Sequence, residues 1–400
     1  MTVTIRPSAP SGSVAAPPSK SAAHRLLLCA GLAAGESVVH GVAPSEDVLA
    51  TMDCLRALGA ACRFDGDTAR VDGTGLLSGT ETLLCRESGS TLRFFVPLCL
   101  LDGRERTLAG SERLLERPLG VYEDICRERG MLFEKSAASL RLAGRLTPGT
   151  YELPGDVSSQ FVSGLLFALP RLGGDSLIRL RPPVESRAYI DMTTDALRTF
   201  GVETRRRDET TIEVPGNQAF APREAAVEGD WSNAAFFLAL GAEVTGLRED
   251  SVQGDRVCVS HLARLREGAA EIDLSDCPDL GPVLFAYAAA HHGGTFTGAR
   301  RLRLKESDRV ETMRAELAKF GVSVTAEGDR VRVGSGLRAP AEALCGHNDH
   351  RVVMALCVLC AKTGGVIEGA EAVNKSFPDF FEKLRTLDIE VEGYGMDQQK

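Results

Sequence analysis

Serine, aspartate and asparagine stand immediately before apolar, small-residue segments in five places, and basic side chains stand beside several of them. The phrases are ESGSTLRFFVPL, GDVSSQFVSGLLFAL, GDWSNAAFFLAL, DCPDLGPVLFAYAAA and NDHRVVMALCVLCA. Short oxygen-bearing residues before an apolar run are helix N-cap chemistry. A helix start presents unpaired N–H groups and the positive end of the macrodipole, so several starts with cations beside them predict an anion site. Arginine suits bidentate capture of carboxylate or phosphate, whereas lysine supplies a compact charge or a movable proton. Ser21 with Arg25, and Lys305 with Arg309, are spaced four apart, so each pair shares one face if its segment is helical.

A second cluster invites a metal reading, because Cys345, His347, His350, Cys357 and Cys360 follow closely on one another. Cys357 and Cys360 sit inside VVMALCVLCA, however, and no second pair completes a zinc spacing. Buried core is the better reading, and no metal is expected. The eleven cysteines are scattered at irregular spacing in apolar segments and all read as reduced core residues of a cytosolic protein.

The elements that must position these residues repeat. A helical segment ending in Gly, a strand, a polar turn and a second strand recur as LRALGAACRFDGDTARVDG, ICRERGMLFEKSAASLRLAG, ALRTFGVETRRRDETTIEVPG and ELAKFGVSVTAEGDRVRVGSG. Gly59, Gly130 and Gly201 are evenly placed, 130 − 59 and 201 − 130 both giving 71. KLRTLDIEVEGYG repeats the start of the unit, with Asp388 in the Gly place, and a shorter variant with strand character is expected at Ser251 to Val259. Each Gly fits a helix end needing positive φ, and the alternating strands after it fit half-buried hairpins. About six α/β units result. The small-residue helices between them should be buried.

Composition narrows the classes. A chain of 400 residues with 44% hydrophobic content predicts two globular domains. A formal net charge of −9 argues against a general nucleic-acid binder, so any anionic ligand must be held by local cations. The longest apolar runs, such as Val352 to Ala361, fall well short of the roughly 20 residues that span a bilayer. The opening MTVTIRPSAP lacks a signal-peptide pattern, so cytoplasm is the expected compartment and a monomer the expected state.

Nine phrases in order carry a family resemblance: PPSKSAAHR, ESGSTLR, ERP, VSSQF, SRAY, PD at Pro278 and Asp279, RLKESDR, NDHR and NKSFPDF. Across essentially its whole length the chain resembles the enolpyruvyl transferases, in particular the 5-enolpyruvylshikimate-3-phosphate synthase family. The resemblance implies transfer of an enolpyruvyl group from phosphoenolpyruvate to shikimate 3-phosphate, with no cofactor. These substrates bring two carboxylates and two phosphates, which repel at contact distance unless paired. By resemblance, shikimate 3-phosphate is held by Lys20, Ser21, Arg25, Ser158, Ser159, Gln160, Ser186, Tyr189, Asp279 and Lys305. Phosphoenolpyruvate is held by Lys20, Gly89, Arg117, Gln160, Arg309, Arg351 and Lys375. Asp279, Glu306 and Lys20 are the implied proton-handling set. The serines of VSSQF can act as N-caps at the same time, and Gly89 allows close approach of a ligand to the backbone.

The implied fold is a two-domain inside-out α/β barrel of six βαβαββ-like repeats, with pseudo-threefold symmetry in each domain. Residues 1–18 and 228–400 make the first domain and residues 19–227 the second, with the active site in the interdomain cleft. Two departures from the family pattern stand out: Arg301 occupies a place where many relatives have Asn, and ESGSTLRF replaces NAGTAMRP, with Phe94 in place of Pro. Gly89 keeps the small residue of glyphosate-sensitive relatives within that altered phrase. A transferase acting on a nucleotide amino sugar is disfavoured, because no Cys lies between Cys99 and Cys126 around Arg117. A non-catalytic binding protein is disfavoured by the presence of Asp279, Glu306 and Lys20 together.

Overall fold

The computed structural model describes residues 1–393. The chain divides into two compact units, Pro18–Glu228 and a discontinuous one joining Met1–Pro17 to the chain from Gly229 onward. Each has its own hydrophobic core.

Five four-stranded sheets share one pattern. In each, two parallel strands are followed by two antiparallel ones, as in Thr82–Arg86, Arg106–Gly110, Ser139–Ala143 and Leu132–Lys135. The parallel pair requires a crossover, which the Gly89–Cys99 helix supplies here. Sheets starting at Glu224–Ala226 and Thr150–Pro154 complete the continuous unit. In the discontinuous unit, Thr2–Ile5 fills the third place of a sheet otherwise built from Leu344–Cys345, Gly365–Glu368 and Val391–Glu392. That strand ties the N-terminus to a unit otherwise made of the second half of the chain.

The repeated Gly places hold. Gly59, Gly130, Gly201 and Gly321 have φ of 115°, 65°, 80° and 77°, and Asp388 follows them at 58°. Aspartate is among the few side chains that tolerate this region. Of KLRTLDIEVEGYG, Tyr394 and Gly395 lie outside the described residues.

The shorter unit departs from expectation. Ser251 to Val259 forms no strand: a 3-10 turn, Gly254–Val257, runs into the Cys258–Glu267 helix. Cys258, Leu262 and Leu265 are its buried positions, a helical spacing that overrides the strand-like valines. Those valines, Val252, Val257 and Val259, are exposed. The sheet of this unit is only the parallel pair Ser13–Ala15 with Glu243–Thr245.

The small-residue helices are buried as expected. In the continuous unit the Ser159–Ala168 helix packs so closely on Gly89–Cys99 that a Cβ at Gly164 would stand 2.7 Å from the Arg93 carbonyl oxygen. Tyr122 Oη donates to the same oxygen at 2.8 Å. Nine cysteines are buried, but Cys62 is only half-buried and Cys345 is exposed, which corrects the reading of all eleven as core. Among the described residues no helix is long and apolar enough to cross a membrane.

Candidate active site

The predicted residues fall into two groups, one on each unit. In the continuous unit, Ser19 caps the Lys20–Leu32 helix and Lys20 occupies its first turn. Lys20 Nζ meets Asp47 Oδ2 at 2.7 Å, in the first turn of the Glu46–Leu58 helix. One turn further in, His24 Nδ1 lies 2.7 Å from Thr51 Oγ1, which lies 2.8 Å from Thr91 Oγ1. Thr91 donates to Ser88, the cap of the Gly89–Cys99 helix. A buried polar chain thus stitches three helix starts together.

His24 Nε2 has no hydrogen-bond partner among the described residues. Burial first, then the charges of Lys20 and Arg25, hold the imidazole well below its ordinary value of 6.5. The folded chain therefore keeps His24 neutral while the unfolded chain protonates it below about pH 6.5. Stability is then fully present above that pH and declines as pH falls, by up to about 1.4 kcal/mol per unit. Urea midpoints at pH 7 and 5.5 should show this slope, and His24→Gln should flatten it; an unchanged slope would mean that the imidazole titrates freely in place.

Arg25, on the adjacent face, is the more unusual group. It is 3% exposed, and it donates to the hydroxyls of Thr193 (2.8 Å) and Ser163 (3.5 Å) and to the carbonyls of Ser21 (2.7 Å) and Tyr189 (2.9 Å). Ser21 and Arg25 do share a helix face. The Phe94 ring packs against the guanidinium 5.4 Å from its centroid, so the departure at Phe94 gives Arg25 a cation–π wall. Burial lowers the Arg25 guanidinium to about 10, which leaves it charged near neutrality. The charge is held by oxygen dipoles and an aromatic face, an arrangement suited to receiving an anion.

Gly89 and Arg117 meet. A Cβ at Gly89 would stand 2.4 Å from Arg117 Nη1, so what closely approaches this glycine in the chain itself is a guanidinium. Ser158 caps the Ser159–Ala168 helix by accepting from Gln160 N, so the expected capping role is present. The Gln160 side chain is fixed at both ends, accepting from Arg93 at 2.6 Å and donating to Ser90 at 2.9 Å. Arg93 also donates to the Pro118 carbonyl, beside Arg117. Ser186 is buried in a left-handed conformation, φ 56°, at the start of the Arg187–Thr199 helix that carries Tyr189. Arg187 pairs outward with Glu209.

In the discontinuous unit, Asp279, Lys305, Glu306, Arg309 and Arg351 converge. Arg309 is 1% exposed and donates to Asp349 (2.9 Å), Asp279 (2.9 Å) and Glu306 (2.7 Å). Asp279 also meets Lys305 at 3.1 Å and Arg351 at 3.6 Å. Lys305 and Arg309 do not share a helix face. Asp308 accepts from Val310 N and Glu311 N, which starts the helix at Arg309 and leaves Lys305 extended. Their meeting point is Asp279.

Burial lowers the Lys305 ammonium to about 8; Asp279 opposes the shift, and Arg309 and Arg301 add to it. Arg301, the departure noted in the sequence, is buried and thus weakens a neighbouring cation. For Asp349, burial is the largest influence and works upward, yet the Arg309 charge and hydrogen bond together with the His350 charge outweigh it and hold the carboxyl below its usual range. Lys375 donates to the Asn348 carbonyl at 2.7 Å, next to Asp349.

Sequence reasoning missed Asp47, Arg93, Thr193 and Asp349 as partners. Arg93 and Asp349 lie inside the recognised phrases, where a charge without an assigned ligand was the available signal; Asp47 and Thr193 carry none. The Cys/His cluster disperses: His347 reaches Glu316, and Cys357 and Cys360 lie inside the buried His350–Thr363 helix.

Comparison with known proteins places this geometry. A family model described as EPSP synthase (3-phosphoshikimate 1-carboxyvinyltransferase) matches residues 5–384. A protein named 3-phosphoshikimate 1-carboxyvinyltransferase from Clostridium kluyveri is 39% identical, covering 98% of this chain and 99% of its own. The structure of EPSP synthase from Acinetobacter baumannii superposes with a TM-score of 0.78 at 23% identity, covering 98% of this chain and 99% of that one. The enolpyruvyl transferase NikO from Streptomyces tendae gives 0.75 at 15% identity, with 98% of each chain covered. At such identities the two structures speak to fold alone; the family model and the curated relative carry the family. The chain belongs to the EPSP synthase (3-phosphoshikimate 1-carboxyvinyltransferase) family.

Proposed function

We propose that this enzyme transfers the enolpyruvyl group of phosphoenolpyruvate to the 5-hydroxyl of shikimate 3-phosphate and releases phosphate, within the shikimate pathway to chorismate and aromatic amino acids. The carrying observation is Arg25: a buried guanidinium ringed by neutral oxygens in the second turn of a motif-bearing helix, in a chain of this family. An anionic acceptor suits such a group, since the cation is already desolvated and positioned.

The reaction is an addition followed by an elimination. The acceptor hydroxyl oxygen bonds to the donor's C2 and loses its proton, while the donor's methylene carbon gains one and becomes a methyl group. The tetrahedral intermediate then returns a proton from the methyl group as the bond to the phosphate oxygen breaks. We assign Asp279 to the acceptor hydroxyl, Glu306 to the methyl carbon and Lys20 to the shared cation. The donor set is Lys20, Gly89, Arg117, Gln160, Arg309, Arg351 and Lys375. The acceptor set is Lys20, Ser21, Arg25, Ser158, Ser159, Gln160, Ser186, Tyr189, Asp279 and Lys305.

In this reading residues 1–18 with 228–400, and residues 19–227, are two domains of three repeats each, a division favoured by the strand order common to five sheets. The same reading takes the chain as a cytoplasmic monomer that needs no cofactor.

A coupled phosphate-release assay with phosphoenolpyruvate and either shikimate 3-phosphate or a nucleotide amino sugar tests the reading. Release with the first acceptor and not the second is expected. No release with shikimate 3-phosphate would overturn it.

A further inference from the structure

Two residues singled out by the metal reading, Cys345 and His347, are left without a role by the proposed reaction. Both meet Glu316, which is only 1% exposed on the Arg309–Lys319 helix. Its carboxylate accepts from Cys345 N at 3.0 Å and from His347 Nε2 at 2.8 Å, and it pairs with Lys319 at 3.1 Å. Burial pushes the carboxyl up, but the His347 hydrogen bond, the Cys345 N–H and Lys319 together bring it below its usual range.

Glu316 lies 316 − 309 = 7 positions after Arg309, close to two helical turns, so the two side chains project from one face. That face holds the 345–349 segment at both ends: Glu316 binds Cys345 and His347, and Arg309 binds Asp349. Between these anchors, His347 and Asn348 are consecutive non-glycine residues in the left-handed region, with φ of 49° and 53°. Such a pair persists only where its surroundings over-determine it, and strained backbone of this kind gathers at functional sites. Lys375 Nζ is bonded to the Asn348 carbonyl, and Arg351 N to the carboxylate of Asp349.

We infer that Glu316 and His347 are a positioning pair, which holds the strained His347–Asn348 turn and thereby sets Arg351 and Lys375 for the donor. The inference rests on the proposed function for the word donor alone; the clamp on the turn stands on the geometry.

His347→Ala in the full chain is the main test, since the side chain is partly exposed and its loss leaves the core intact. The Michaelis constant for phosphoenolpyruvate should rise about tenfold, that for shikimate 3-phosphate less than about twofold, and the urea midpoint little. His347→Gln, which keeps a donor for Glu316, should recover most of the loss. A lowered midpoint with both constants unchanged, or equal rises in both, would overturn the positioning role. Hydrogen exchange at the Arg351 amide gives a readout that needs no turnover: it should quicken at least about tenfold in His347→Ala, and unchanged protection would overturn the clamp itself. Should the unsubstituted chain fail to turn over, the proposed function falls while the exchange result still decides the pair.

Discussion

Asp349→Ala should destabilise the discontinuous unit by about 3 to 5 kcal/mol, the cost of leaving a buried cation without a principal partner. Arg309 would lose its two contacts to this carboxylate, from Nε at 2.9 Å and Nη2 at 3.3 Å, at a position where water does not reach. Ser307 would lose the acceptor of its hydroxyl. The His350–Thr363 helix would lose its cap, which alone is worth about 1 kcal/mol. Asp349→Asn should keep the cap oxygen but lose the charge, and so fall between the two. The sign of the pH effect is fixed as well: the folded carboxyl lies below its ordinary 3.8, so its contribution is present above that value and is lost as pH falls further. Urea unfolding of the three proteins, followed by a probe in this unit, measures the order. A loss under about 1 kcal/mol in Asp349→Ala would show that Glu306 and Asp279 can balance Arg309 unaided.

The case of Asp349 shows what a sequence can and cannot carry here. Its role as a cap was legible, because Asn-Asp before an apolar run has a local mechanism. Its grip on Arg309, forty residues earlier in the chain, has no local signal. The same holds for Lys20 with Asp47 and for Arg25 with Thr193. Repeats, buried helices and the Gly-terminated helix ends were readable because each follows from a short-range rule applied several times over. Lys305 and Arg309 misled because a four-residue spacing means one helix face only once the helix start is known. Ser307 and Asp308 are both acceptable caps, and the side chain of Asp308 took the role. The charge balance of the site is non-local in the same way: the three carboxylates that surround Arg309 lie in three separate phrases, PD, RLKESDR and NDHR, and no local rule says that they meet.

That balance bears on the largest catalytic effect expected. Glu306→Gln should depress turnover by about 10² or more while both substrates still bind, the usual scale for losing a positioned proton-transfer group. Glu306 lies before the Arg309 helix rather than in it, and Arg309 Nη2 holds one of its carboxylate oxygens at 2.7 Å. A carboxylate on a short loop, steered by a guanidinium that is itself fixed by Asp349 and Asp279, is oriented without being enclosed in a helix. Glutamine keeps the length and an oxygen for Arg309 but cannot shuttle the proton to the methylene carbon. Lys20→Ala should instead lose binding and turnover together, because the proposal places it against both substrates. Deuterium washing from solvent into the donor's methylene group separates the two effects, since it reports reversible protonation of that carbon directly. In Glu306→Gln the exchange should fall in step with turnover. Exchange and turnover both unchanged would remove Glu306 from the mechanism and pass the proton to Lys20 or to Lys305, whose ammonium burial has already brought to about 8.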